Sequence, residues 1–166
     1  MKIRSGFVSN SSSSSFVVAF PKTMPLTVDA IEEYVFGLSC SVDYPYGYES
    51  ITSKRAAEII LDDIQHRQTN DRQDILQIIG NGFANAPEFD YDKYFALPAD
   101  KKDSYHQEFE MKMEIFLKSV DGGLKDLEEK YVLYKFEFSD NDGTEQVIME
   151  HGNVFDRVKH WHQSNH

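Results

Sequence analysis

Five consecutive serines, Ser11, Ser12, Ser13, Ser14 and Ser15, stand between apolar residues, with Phe7 and Val8 before them and Phe16 opening an FVVAF run after them. Their hydroxyls and backbone N–H groups could converge on an anion or accept a covalent modification. The run has neither a GK[ST] ending nor a GxGxxG spacing, so an anion site rests on residue chemistry alone. A flexible polar leader would explain it equally well. A second group is acidic: Asp140, Asp142, Glu145 and Glu150 place hard oxygen ligands in one turn and its flanks, a donor set suited to Mg²⁺ or Ca²⁺. The EF-hand register fails there, because Asp140 and Asp142 as third and fifth ligands would put Phe138 first and Met149 twelfth. A solvated turn built from Asp and Gly for backbone reasons fits the same residues. His151, between Glu150 and Gly152, could serve as a general base and joins the serines as a ligand-binding candidate. A serine hydrolase triad is not indicated, since no GxSxG elbow is present. His162 and His166 have i, i+4 spacing but lack the HExxH pattern.

A third group is aromatic. Tyr44, Tyr46 and Tyr48 alternate in YPYGY, and a second cluster, FDYDKYF, spans 89–95. Tyrosines exposed on loops bury large area at low rotamer cost, which makes the first three protein-binding candidates. Rings that cap the core while their hydroxyls reach water are the structural alternative.

These residues need elements to hold them. Residues 16–20 read as a strand, and Thr27 caps a helix from 28 to about 38 that closes near Gly37. The Pro, Gly and Ser content of 39–50 predicts a loop, after which Thr52 caps an amphipathic helix over 53–67. A short helix over 71–79 lies between Asn70 and Gly80, followed by an irregular stretch. Tyr105, Phe109, Met113, Phe116 and Val120 recur in steps of four and three, predicting a long helix over 99–120 that Gly122 and Gly123 stop. Val132, Tyr134, Phe136 and Phe138 alternate with Leu133, Lys135 and Glu137, which predicts a strand. SDNDGTE then reads as a hairpin turn, QVIMEH as the returning strand, and 153–162 as a last helix. The expected fold is therefore α+β: a small antiparallel sheet of the N-terminal strand and a C-terminal hairpin, covered by about five helices. One domain over 1–166 is expected, with a Ser-rich leader at about 5–15.

Composition narrows the function. Seventeen basic against 28 acidic residues give a net charge of −11, which repels phosphate backbones and anionic lipid and attracts basic surfaces. Basic residues occur only in short pieces (KIR at 2–4, SKR at 53–55, KK at 101–102), without the stripe that a broad nucleic-acid groove needs. Cys40 is the only cysteine, so an intrachain disulfide and a thiolate zinc cluster are both excluded, and a reducing cytoplasm fits best. The apolar run after MKIR is too short for a signal peptide core or a membrane span.

The opening MKIRSGFVSNSSSSSF resembles the N-terminal signature of a group of short uncharacterised proteins of tailed bacteriophages and bacterial mobile elements, which begin with much the same GFVSNSSSSSF. EFSDNDG at 137–143 and EHG at 150–152 are similar to that group more loosely. The resemblance implies a phage setting and carries over no catalytic residue. Two function classes follow. One is a non-enzymatic accessory protein that binds a basic surface on a host or phage protein. The other is a ligand-binding domain or metal-assisted enzyme that uses the serine loop with the acidic turn. Geometry discriminates: serines folded back on Asp140, Asp142 or His151 in one cavity favour the second.

Overall fold

Every residue from Ser14 to Phe20 is buried, and a strand buried on both faces must be covered on both sides. The computed structural model, which describes residues 13–68 and 71–164, is built around this strand, β1 (Ser13–Pro21). Antiparallel partners flank it, β4 (Tyr131–Ser139) along its whole length and β5 (His160–Ser164) along its first half, in the order β4-β1-β5.

Alternation along β1 divides the core in two. Phe16, Val18 and Phe20 join Phe136 and Phe138 of β4 beneath α1 (Val28–Phe36), α2 (Ser53–His66) and α6 (Thr144–His151). Val17 faces the other way, into a smaller core with Leu133 and Trp161 under α3 (Arg72–Asn81) and α5 (Ala99–Lys130). Arg72 ties those two helices together through Asp121, at 2.6 Å, and Glu128. The architecture is α+β with a small antiparallel sheet, as the sequence predicts, and the sheet lies between two helical layers. Among the described residues, no helix is long and apolar enough to cross a membrane.

Local chemistry explains most element ends. The side chains of Thr27 and Thr52 accept hydrogen bonds from Ala30 and Arg55 backbone N–H groups, and Gly37, at φ 81°, ends α1. Asp71 caps α3; Asn70 lies outside the described residues. Gly80 is inside α3 and does not follow it: a Cβ there would meet Phe116 at 3.0 Å, so the glycine lets α5 approach closely.

Five further sequence expectations need correction. The 39–50 loop contains a two-stranded ribbon, β2 (Ser41–Asp43) and β3 (Ser50–Thr52), whose three-residue strands are too short to register as alternation. The irregular stretch holds α4 (Tyr91–Ala96), capped by Asp90. Its neighbour Phe89 gathers Tyr91, Tyr94, Tyr105 and Phe109 into a satellite aromatic cluster. Gly122 and Gly123 do not stop α5, because the buried stripe of Leu117 and Val120 continues to Leu124 beyond them. QVIMEH is helical in α6: Gly143, at φ 102°, turns the chain, and a short apolar run carries no period that separates strand from helix. Finally, 153–162 is not a helix. Val154 and Val158 are buried from consecutive turns, and the chain then becomes β5, which satisfies the second edge of β1.

Nothing lies within 4 Å of a Cβ built on Gly122. Gly122→Ala should therefore raise stability by about 0.5–1 kcal/mol, read as a higher urea midpoint at unchanged slope. A lower midpoint would mean that the helix needs a glycine there.

Candidate functional site

The site forms where α6, the β2–β3 ribbon and the start of β1 meet. After β4, Asp140–Asp142 make one 3-10 turn, with Ser139 Oγ accepting from the Asn141 N–H at 3.2 Å. Gly143 then launches α6, whose Ile148 and Met149 enter the core. The α6 end presses against β2, since a Cβ on Gly152 would sit 2.9 Å from Val42 Cγ1. This packing sets Glu150 beside the start of β1 and His151 beside the ribbon.

Glu150 is fully buried at its side chain, and Ser14 Oγ donates to its Oε1 at 3.2 Å. His151 Nε2 lies 3.6 Å from Glu150 Oε2. In a nucleophile triad the histidine stands between serine and acid; here the carboxylate does, and Ser14 is only 3% exposed. Ser14 is therefore a structural donor to a buried carboxylate. The rings of Tyr44 and Tyr46 both lie 5.9 Å from that of His151. The structure thus gathers Ser14, Glu150, His151, Tyr44 and Tyr46 at one corner, and Tyr48 occupies the same turn.

That turn is closed by Tyr44 and Glu49, whose backbone N–H and carbonyl bond at 2.9 Å. Its tip is open, with Tyr46 79% and Tyr48 105% exposed. Beside it lies a cavity of 330 Å³ lined by Tyr44, Glu49, Asp140, Gly143, Thr144, Val147 and Ile148.

The other candidates are dispersed. Ser13 pairs across from Ser139 on the sheet, and Ser15 lines a 190 Å³ cavity on the opposite face with Lys135 and Glu137. Ser11, Ser12, Phe7 and Val8 lie outside the described residues. None of Ser13, Ser14 and Ser15 lines the cavity that holds Asp140. Glu145 is gripped at 2.8 Å by both Nε and Nη2 of Arg55, which holds its carboxyl below the usual range. Among the described residues, no three His, Cys, Asp or Glu side chains form a metal-binding group.

A second polar region, unread in the sequence, runs along the outer edge of β4. Asp63, Arg67, Lys135, Glu137 and Asp142 line a 270 Å³ cavity there. Lys135 Nζ reaches Asp74 at 2.8 Å and Glu137 at 3.0 Å. Gln68 pairs with the Lys135 backbone as a neighbouring strand would, donating to its carbonyl at 2.8 Å and accepting from its N–H at 3.1 Å. That amide covers one position of an edge that would otherwise invite strand pairing. Asp63 was the available signal, because it falls on the buried face of α2 between Ile60 and Ile64.

Asp63 is 4% exposed, and burial pushes its carboxyl above the usual range, opposed by Arg67 at 3.3 Å. An acid raised in the folded state contributes stability below its unfolded pKa of about 4, and that contribution is lost as pH rises through the folded value. Asp63→Asn should remove this decline and leave the chain at least as stable at pH 7, measured by urea unfolding across the range. A variant less stable at pH 7 that retains the decline would contradict it.

Comparison with known proteins adds no relative to this geometry: no protein-family model, curated protein or solved structure matches the chain.

Proposed function

We propose that this chain is a small acidic binding module of phage type, without a catalytic role, that engages a basic surface on a host or phage protein. Its working surface is the tyrosine turn. The observation that carries this reading is the pair Tyr46 and Tyr48, large rings exposed on a turn whose base is anchored by Tyr44, His151 and α6. Tyr46 is held against Tyr44 and His151, and a ring held in this way supplies contact area at low entropic cost. The net charge of −11 supplies steering toward a basic partner. The cytoplasm of an infected bacterium is the setting implied by the resemblance of the N-terminal residues.

The alternative, a ligand-binding or metal-assisted site, draws on the Ser14–Glu150–His151 corner. It is the weaker reading because Ser14 is enclosed in a strand and Glu145 is held by Arg55. Affinity capture from infected or producing cells identifies the partner, and surface plasmon resonance then reads both rates. Raising salt should lower mainly the association rate. Association unchanged by salt would contradict steering by the acidic surface.

A further inference from the structure

We propose that the outer face of α5 pairs with the same face of a second copy of this chain, antiparallel, about a two-fold axis level with Met113. This surface is separate from the tyrosine turn and goes beyond the binding function proposed above. Ser104, Glu108, Met111, Ile115, Lys118 and Gly122 follow one another in steps of four, three, four, three and four, and all six are exposed. That spacing is the period of a coiled-coil seam, which draws one line along a helix. The line runs on the side of α5 away from its buried residues Leu117, Val120 and Leu124. At its centre are two large apolar side chains one turn apart, Met111 at 63% and Ile115 at 67% exposed.

Reversed, this line is its own complement. A two-fold interface requires that where one residue meets a second, the second also meets the first. With Met111 opposite Ile115 of the second copy, Glu108 falls opposite its Lys118 and Ser104 opposite its Gly122, and each contact recurs across the axis. Apolar meets apolar, acid meets base, and small meets small. A parallel pairing instead sets Glu108 on Glu108 and Lys118 on Lys118. Sliding the antiparallel pairing by one heptad sets Met111 against Glu108 and Ile115 against Ser104. One orientation and one register therefore satisfy the whole line, and the charged ends disfavour the others.

The charges are already in place. Glu108 Oε1 accepts from Lys112 Nζ and Glu114 Oε1 from Lys118 Nζ, each at 2.7 Å. Across the axis the two pairs join into a run of alternating sign, Lys112 and Glu108 from one copy followed by Lys118 and Glu114 from the other. Side chains restrained in this way lose less freedom when the copies meet. The register overlaps the helices from Ala99 to Leu127, about 40 Å at 1.5 Å per residue, so nearly all of α5 takes part. Lys101 meets Lys125 of the second copy only near the ends of this overlap, where long side chains reach water and salt screens them.

Sedimentation velocity of the full chain, over a dilution series from micromolar to near-millimolar, is the test. A reversible monomer–dimer equilibrium is expected. Ile115→Lys and Met111→Lys, both at exposed positions, should preserve the circular dichroism spectrum and each weaken dimerisation about tenfold or more. Glu108→Lys alone and Lys118→Glu alone should also weaken it, because each sets like charges opposite one another twice per dimer. The double variant Glu108→Lys, Lys118→Glu should recover most of that loss, since the reversed charges again face their opposites. A chain that stays monomeric across the series, its α5 face left for another protein, overturns the proposal. So does a dimer that Ile115→Lys and Met111→Lys leave unchanged, which would place the contact elsewhere. A double variant no tighter than the single reversals would overturn the antiparallel register.

Discussion

Phe138→Ala should destabilise the chain by about 3–5 kcal/mol, the range for emptying a large aromatic from a packed interior. Phe138 is 0% exposed, stands opposite Ser14 on β1, and contacts the rings of Phe16 at 5.9 Å and of Phe136 and Phe155 at 6.3 Å. Those rings are covalently fixed on three separate segments, so collapse around the void is limited. Its register partner Ser14 donates a hydrogen bond to the buried Glu150 carboxylate. Urea unfolding is the measurement, and a loss under about 1 kcal/mol would mean that this end of the sheet is not the core. The same variant should leave the β2–β3 ribbon with a less well-supported α6, so partner binding should weaken along with stability.

How far the sequence was legible depends on how local each cause is. Thr27 and Thr52 cap through their own side chains, and Phe136 and Phe138 alternate within one strand, so these elements could be read directly. α6 and β5 could not. Ile148 and Met149 are buried in a helix because Gly143 redirects the chain, and His160–Ser164 is a strand because β1 leaves one edge to be paired; both causes lie outside the segments themselves. His160 to Gln163 do alternate, with Trp161 toward the α3 and α5 side and His162 stacked on Phe16 at 4.5 Å. That signal was masked by the helical spacing of Val154, Val158 and Trp161. Continuation of α5 through two glycines shows the reverse case, where a buried stripe outweighs propensity of about 1 kcal/mol per glycine.

For the site, residue chemistry picked out Tyr44, Tyr46, His151, Glu150 and the serines, but not their arrangement. The meeting of Ser14 with Glu150 spans 136 residues and follows from the packing of α6 against the start of β1. The polar groove beside β4 shows in the sequence only through Asp63 on the apolar face of α2, while its edge-covering contact does not show at all. Gln68 pairs with Lys135, 67 residues away, and an isolated glutamine in a loop gives no hint of an edge to cover.

Tyr46→Ala should increase the dissociation rate from the captured partner about thirtyfold, equivalent to roughly 2 kcal/mol for a hot-spot ring, with little change in association. Tyr46 is 79% exposed and lies edge-on to Tyr44 at 5.7 Å. The contact orders the ring before binding, which reduces the entropy lost on association. Because so little of the ring is buried in the isolated chain, the thermal midpoint should hardly move, and a binding loss can then be assigned to the interface. A dissociation rate altered less than about twofold would remove Tyr46 from the list of anchors.

The central claim, that the tyrosine turn anchored on α6 is the binding surface, is tested most directly by mapping the captured partner onto the ¹⁵N-labelled chain through amide shift and intensity changes. The account predicts a footprint over residues 43–49 and 140–147, continuous across the turn and the start of α6. A footprint confined to the outer edge of β4 or to the exposed half of α5, with 43–49 unperturbed, would contradict it.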